Sequence, residues 1–227
     1  WGTMSDFIHS ITIINASGDL VKIDQKTNAR LLPAAKVSLG MLGVIVEVEL
    51  KVVATPWVQN VRVDATLEEF LTIRPALFAK FQHIWIHWLL GEERFVIQCL
   101  ETRPTQEEGF IPYVSDDRAN WAMFYHPAPV PSYPDDFMLS MQYGLKLEQI
   151  SEAIRMINKT AFASTNRGRE IEIKFLKESP GTLLGPNSDG DMALFNIWWP
   201  VRRGNLRSAF AEFESTMQNF SARPHWG

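Results

Sequence analysis

This chain has little cysteine, no long apolar run and no excess of positive charge. Each of these features excludes a class of function. Cys99 is the only cysteine among 227 residues, which excludes an intrachain disulfide and a metal site built from several thiolates. No run approaches the roughly 18 to 20 apolar residues of a membrane-spanning helix. The formal net charge is -4, so clustered positive charge for binding nucleic acid is not indicated.

The composition that remains is typical of a folded globular protein. Hydrophobic residues make up 46% of the chain and charged residues 21%, which are ordinary values for such proteins. The length is sufficient for one large domain or two small ones. Cys99 lies in an apolar alternation, which predicts an inert thiol in the core.

The first region covers residues 1–55 and begins with a predicted hairpin. Its strands are expected at residues 10–14 and 20–23, joined by a turn that contains Gly18. A short helix is expected over residues 29–36. A turn punctuated by glycine then leads into a long strand over residues 44–53, whose alternation of apolar and charged residues predicts one buried face.

The second region covers residues 56–227 and mixes helices with strands. Thr66 and Glu69 form a capping-box pattern that opens a helix ending near Phe81. Residues 101–136 are rich in proline and aspartate and are expected to form a long loop. The patterns predict an α+β fold, with helices packed on an antiparallel or mixed sheet. Further strands are predicted at residues 84–90, 94–100, 137–143, 170–176 and 192–199, and further helices at 150–157 and 206–217.

Five segments, in order along the chain, resemble a known family. Residues 35–48 read AKVSLGMLGVIVEV, similar to the AARVSLGALGVITEV stretch of the aldonolactone oxidases. Residues 170–175, EIEIKF, resemble the family's VEIRF strand, and residues 223–227, RPHWG, resemble its closing RPHWGK. Residues 2–18 and 140–157 also resemble segments of that family. The family comprises sugar-1,4-lactone oxidases of the vanillyl-alcohol-oxidase fold.

The resemblance implies a function and a division of the chain. It implies FAD as cofactor, a sugar lactone or polyol as substrate and molecular oxygen as acceptor, with hydrogen peroxide as product. Residues 1–55 would be the C-terminal part of an FAD-binding domain of the PCMH type, and residues 56–227 the cap over the flavin. Both a cytoplasmic location and peripheral association with a membrane are open.

The resemblance also implies that the sequence is a piece of a longer enzyme. In the family, the segment that cradles the FAD pyrophosphate precedes the region matching Trp1, and a lysine follows the glycine that matches Gly227. We therefore expect the isolated chain to be inactive and not to retain FAD. We also expect the region 1–55 to expose an uncovered apolar face.

The turn before the long strand is the candidate cofactor contact. From the residues alone it could be a plain entry into a strand, because glycine is common wherever the backbone bends. The resemblance implies instead that small residues there let the backbone approach FAD. The residues concerned are Ser38, Gly40, Gly43 and Val44.

Three residues are the catalytic candidates. Glu172 and Lys174 are two apart on a predicted strand and so share a face. They could be a solvated surface pair, but the resemblance places them beside the substrate, where Lys174 stands in place of the more usual arginine. His225 in the closing motif is either a surface histidine or, by the resemblance, a proton acceptor that also contacts the flavin.

Other interpretations remain open at this stage. His83 and His87 share one face of a predicted strand, but no convincing third ligand accompanies them, so no metal site is predicted. An alditol oxidase and a lactone dehydrogenase are alternatives with the same fold. A binding module that has kept the cap without catalysis is an alternative of a different class.

Overall fold

The computed structural model describes residues 3–112, 138–160, 170–200 and 206–225. It divides into two compact units. Unit 1 comprises Trp1–Ala54 together with Leu176–Met192, and unit 2 comprises Thr55–Phe175 together with Ala193–Gly227. The assignment of these units as flavin-binding and cap regions remains a prediction.

Unit 1 is built on a three-stranded sheet. Its strands are β1 (Ile8–Ile14), β2 (Leu20–Ile23) and β3 (Val44–Leu50). They are arranged in the order β2-β1-β3, and β1 is antiparallel to both neighbours. The predicted hairpin is confirmed. The short helix α1 (Leu32–Ala35) covers one face of the sheet, and the core consists of Ile11, Ile13, Ile23, Leu32 and Ala35.

The strand β3 is exposed along its whole length, so the prediction that one of its faces is buried is wrong. All seven residues of Val44–Leu50 are exposed. Its polar side chains bond across to β1, where Ser10 Oγ donates to Glu49 Oε2 at 3.1 Å. The buried core of unit 1 is formed by residues of β1, β2 and α1, and the apolar residues of β3 are exposed. The expected uncovered apolar face is therefore confirmed.

The segment Leu176–Met192 belongs to unit 1, although the sequence pattern places it in a second region running from residue 56 to the end. The amide of Leu183 donates to the carbonyl of Pro33 at 3.1 Å, and Ser179 bonds Asp6 through their side chains. Asn187 Nδ2 donates to the carbonyl of Lys177 at 2.5 Å and closes the segment on itself. Hydrogen bonds distant in sequence carry this association, and no local pattern reveals it.

Unit 2 contains an eight-stranded sheet with helices, which confirms the α+β prediction. Its helices in the described ranges are α2 (Leu67–Lys80), α3 (Ile150–Lys159) and α4 (Leu206–Gln218). Its strands there are β4 (Trp57–Thr66), β5 (His83–Leu89), β6 (Arg94–Arg103), β7 (Ile111–Pro112), β8 (Met138–Lys146), β9 (Glu170–Leu176), β10 (Met192–Pro200) and β11 (Arg223–Pro224). The order of the strands is β11-β8-β10-β9-β5-β6-β4-β7.

Local signals in the sequence set the start of α2. Glu69 Oε2 accepts a hydrogen bond from the amide of Thr66 at 2.7 Å, and Thr66 Oγ1 accepts one from the amide of Glu69 at 3.2 Å. These reciprocal bonds satisfy two of the free amides at the helix start and confirm the capping box. The strand β4 just before it, the first strand of unit 2, is missed by the sequence patterns.

Two further predictions concern the loop over residues 101–136 and the environment of Cys99. The expected loop over residues 101–136 begins inside β6, and residues 113–137 lie outside the described ranges. Cys99 is fully buried, and burial raises the pKa of its thiol to about 12, as expected of an inert core cysteine. None of the helices in the described ranges is both long and apolar enough to cross a membrane.

Candidate functional site

One face of the large sheet in unit 2 is polar, and the pairing of β5 with β9 decides which side chains share it. Trp85 lies opposite Lys174, and His87 lies opposite Glu172. Alternate residues of a strand point to the same side, so Glu170 joins them. We call this surface the polar face and define it by Trp85, His87, Gln98, Glu170, Glu172, Lys174, Asn196 and Trp198.

The opposite face of the same strands forms the core. Ile171 and Ile173 are fully buried. Phe175 packs against two aromatic residues of α2, with its ring centroid 4.9 Å from that of Phe78 and 6.2 Å from that of Phe70. Aromatic and aliphatic burial on that side fixes β9 in place. The neighbouring residues of β9 are thereby held on the polar face.

Glu172 is bound by three donors through one of its carboxylate oxygens. Lys174 Nζ lies 3.0 Å from Glu172 Oε2. Asn196 Nδ2 donates to the same oxygen at 3.2 Å, and Trp198 Nε1 donates to it at 3.3 Å. Among the described residues, every hydrogen bond to Glu172 ends on Oε2. Its Oε1 accepts no hydrogen bond from the described residues.

These contacts keep Glu172 ionised. Burial of the side chain raises its pKa, but the positive charge of Lys174 and the hydrogen bonds from Lys174, Asn196 and Trp198 outweigh burial and leave the pKa below its ordinary value. The side chain of Glu172 is 14% exposed, whereas that of Lys174 is 46% exposed. Glu172 is thus a half-buried carboxylate with a cation at the solvent side, unlike the solvated pair considered from the sequence.

His87 and Glu170 form a second polar pair beside the first. His87 Nδ1 bonds Glu170 Oε1. The other ring nitrogen of His87, Nε2, is buried and has no hydrogen-bond partner among the described residues. Ligand atoms of His87, Glu170 and Glu172 all lie within 4.8 Å of one another. Neither His87 nor Glu170 is among the functional residues predicted from the sequence.

The same three residues could in principle hold a metal ion, since one imidazole and two carboxylates are a donor set for divalent transition metals. The surrounding charges oppose this. Lys174 Nζ already supplies a positive charge to Glu172 Oε2, and a second cation nearby would be repelled. The prediction that the chain has no metal site remains a prediction.

The structure brings Glu172 and Lys174 together but does not join His225 to them. His225 is exposed and directly follows β11, which pairs with β8 at one edge of the sheet. Its amide donates to the carbonyl of Gln142 at 2.9 Å. Two strands, β8 and β10, lie between β11 and β9. With strands spaced roughly 4.8 Å apart, the backbones of β11 and β9 are separated by about 14 Å.

The candidate cofactor turn in unit 1 combines a tight bend with an open surface. Gly43 has φ +136°, and a Cβ added there would lie 2.2 Å from the carbonyl oxygen of Ile14. Gly40 has φ +77°, and a Cβ added there would meet nothing within 4 Å. The amide of Gly43 donates to the carbonyl of Gly40 at 3.3 Å. Glycine at 43 is therefore explained by packing between the turn and β1.

The remaining residues of this turn differ in exposure. Ser38 is buried, whereas Val44 is 67% exposed. Leu39 and Met41 on the same turn are also exposed. The turn thus offers a low, apolar surface that an aromatic ring could cover, while the amides of Met41 and Gly43 are already engaged in hydrogen bonds within the turn.

Comparison with known proteins finds this chain similar in sequence to sugar-lactone oxidases and similar in fold to a carbohydrate oxidase. It is 29% identical over 161 residues to a D-arabinono-1,4-lactone oxidase of Yarrowia lipolytica, a match covering 64% of this chain and 29% of the relative. It is 29% identical over 92 residues to an L-gulonolactone oxidase of Bos taurus, covering 40% of this chain and 21% of the relative. No family model matches the chain.

A solved structure supports the fold. A carbohydrate oxidase from Microdochium nivale, solved with a substrate analogue, is similar with a TM-score of 0.63 and 13% sequence identity. The likeness covers 95% of this chain and 54% of that one. The chain therefore spans about half of the carbohydrate oxidase and less than a third of the two curated relatives, at 29% and 21% of their lengths. The sequence resemblance to sugar-1,4-lactone oxidases is confirmed.

Proposed function

From this likeness to sugar-1,4-lactone oxidases, we propose that the chain supplies the substrate-binding face of an FAD-dependent oxidase. Its substrate is a sugar-1,4-lactone of the D-arabinono-1,4-lactone type, oxygen is the acceptor and hydrogen peroxide is the product. The observation that carries the proposal is the ionised carboxylate of Glu172, held by Lys174, Asn196 and Trp198 on the polar face.

The side chains of the polar face suit a ligand with several hydroxyl groups. Glu172 Oε1 accepts a hydrogen bond from one hydroxyl, and its negative charge favours the loss of that hydroxyl's proton. Lys174, which is the more exposed partner, donates to a second oxygen of the ligand. Two contacts at fixed positions would hold the carbon to be oxidised in one orientation.

The cofactor supplies the redox chemistry, since a flavin accepts the hydride of the oxidised carbon and passes electrons to oxygen. In this proposal the turn that contains Ser38, Gly40, Gly43 and Val44 contributes contact surface to FAD. The open space at Gly40 and the exposed side chain of Val44 fit an aromatic ring. The engaged amide of Gly43 fits this role better than a role in binding phosphate.

The closing RPHWG motif makes His225 a candidate for proton acceptor and flavin contact. Its exposed position beside the edge strand allows contact with a bound group. An alditol oxidase or lactone dehydrogenase would use the same carboxylate and lysine with a different substrate or acceptor. A binding module without catalysis would bind the sugar without oxidising it.

The affinity of the chain for D-arabinono-1,4-lactone, measured by isothermal titration calorimetry, tests the proposal. Lys174→Met removes the ammonium but keeps the stem, and should weaken binding by roughly 10-fold or more because a hydrogen bond from a charged group is lost. Lys80→Met is the matched control, because Lys80 is also exposed and pairs with a carboxylate, Glu101, at 3.3 Å outside the polar face.

Two results would contradict the proposal. One is the absence of lactone binding to the unmodified chain. The other is an equal loss of affinity in the Lys174 and Lys80 variants, which would mean that the lactone responds to net charge and not to the polar face. Comparing the lactone with arabinitol in the same titration separates a lactone site from an alditol site.

A further inference from the structure

The contact between His87 and Glu170 favours one tautomer of the neutral histidine. An ionised carboxylate can only accept hydrogen bonds. Because His87 Nδ1 bonds Glu170 Oε1, the contact favours the tautomer of the neutral ring that carries its proton on Nδ1. Nε2 then carries the lone pair, so it is a proton acceptor, the same division of roles that a carboxylate imposes on a histidine in catalytic triads.

The acceptor nitrogen has no donor in the part of the chain that the structure describes. Nε2 of His87 is buried and makes no hydrogen bond there, and the whole side chain is only 7% exposed. Buried polar atoms of folded proteins almost always have a partner, so an orphaned one needs an explanation. A donor that is not part of the protein, such as a ligand hydroxyl, would supply the missing hydrogen bond.

The position of His87 on the polar face favours a ligand as that donor. His87 lies directly across the β5–β9 pair from Glu172, and their ligand atoms are within 4.8 Å of each other. That separation is comparable with the spacing of neighbouring hydroxyls on one sugar. Exposure increases outward from His87 to Lys174 and Trp198, which are 46% and 42% exposed, so His87 forms the floor of the face and these two residues form its rim.

We propose that His87, oriented by Glu170, accepts the proton of the substrate hydroxyl that is oxidised. The O–H bond breaks and its proton moves to Nε2. The C–H hydrogen leaves with both bonding electrons as hydride to a flavin, and the C–O bond becomes C=O. The resulting imidazolium is paired with Glu170. This inference rests on the proposed function, and it assigns to His87 the proton transfer that the closing motif assigns to His225.

Imidazole NMR of the 227-residue chain tests the inference without any flavin. Long-range ¹H–¹⁵N spectra distinguish the two tautomers of each histidine. His87 should show a protonated Nδ1 and an unprotonated Nε2. Addition of D-arabinono-1,4-lactone should shift the Nε2 resonance upfield, as expected when a lone pair accepts a hydrogen bond. γ-Butyrolactone, which has the same ring without hydroxyls, should leave the resonance unchanged.

The outcomes separate this inference from the function on which it rests. A lactone that shifts the signals of Trp198 Nε1 and Lys174 but not His87 Nε2 overturns the role of His87 and leaves the proposed function standing. A His87 ring protonated at Nε2 instead of Nδ1 would likewise overturn the role of His87 and leave the proposed function standing. A lactone that shifts none of these signals overturns both. A water bound at Nε2 would give no response to the lactone and would also overturn the inference.

Substitution gives a second readout. His87→Leu keeps an apolar side chain of similar size and should weaken lactone binding roughly two- to tenfold, the loss expected for one neutral hydrogen bond. His83→Leu is the matched control, because His83 lies four residues earlier on the same strand and is exposed. Equal affinities of the two variants would overturn the inference. If His87→Leu does not fold, the NMR of the unmodified chain still decides.

Discussion

Replacing Glu172 by glutamine should slow the reaction far more than it weakens the fold. Glutamine keeps the volume of the side chain and can still accept the hydrogen bonds from Asn196 and Trp198. What it loses is the negative charge that Lys174 neutralises at 3.0 Å. The core side of β9, formed by Ile171 and Ile173, is untouched. The variant therefore isolates the electrostatic role of the carboxylate.

The two expected magnitudes differ widely. Lys174 is half exposed, so water can solvate its ammonium when the partner is lost, and the free energy of unfolding should fall by only about 1 kcal/mol. Losing one well-placed electrostatic contributor at a reacting centre typically costs on the order of 100-fold in rate. The rate constant should thus change by roughly 100-fold with little change in stability.

The assay is anaerobic stopped-flow reduction of the flavin by lactone, in flavin-loaded enzyme that contains this chain. Glu101→Gln is the matched control, because its side chain is 12% exposed and pairs with Lys80, much as Glu172 is 14% exposed and pairs with Lys174. The control should reduce flavin at the unmodified rate. A Glu172→Gln rate within about threefold of the unmodified enzyme would refute the chemical role of Glu172.

Three further predictions concern stability and reactivity. The folded pKa of Glu172 is depressed below 4.5, so its stabilising contribution is present above pH 4.5 and is lost as the pH falls through the folded pKa. In urea unfolding, the stabilities of the unmodified chain and of Glu172→Gln should therefore converge at low pH. A difference in stability that stays constant with pH would contradict this. Gly43→Ala should destabilise unit 1 by about 3 kcal/mol, because its Cβ would lie 2.2 Å from a carbonyl oxygen. Gly40→Ala should destabilise it by only about 1 kcal/mol, because its Cβ would meet nothing within 4 Å. Both are measured by urea unfolding, and equal losses of stability would refute the packing argument. Cys99, with a pKa of about 12, should react with iodoacetamide at pH 8 only on unfolding, and fast labelling of the native chain would show that it is accessible.

Periodicity in the sequence predicted the elements whose two faces differ clearly. The strand Glu170–Leu176 alternates charged with apolar residues, and the structure has it at the predicted bounds. The strand Trp57–Thr66 was missed, although it pairs with β6 along its whole length. Its polar residues Asn60, Arg62 and Asp64 alternate with Val61, Val63 and Ala65, so the period-two pattern of a strand was present in the sequence.

Only the part of the candidate site that is formed by residues close in sequence was predictable. Glu172 and Lys174 are two residues apart, so their common face follows from strand geometry alone. The pairing of His87 with Glu170 depends on the register between β5 and β9, across 83 residues of chain, and no local pattern encodes that register. The buried face expected of β3 was wrong for a similar reason, because alternation shows which side is apolar but not whether anything covers it.

A crystal structure of the chain soaked with D-arabinono-1,4-lactone is the most direct test of the central claim, that the polar face binds the sugar. The lactone should lie on this face, with one hydroxyl within hydrogen-bonding distance of Glu172 Oε1 and another oxygen near Lys174 Nζ. A lactone bound elsewhere on the chain, with the polar face holding only water at saturating concentration, would contradict it.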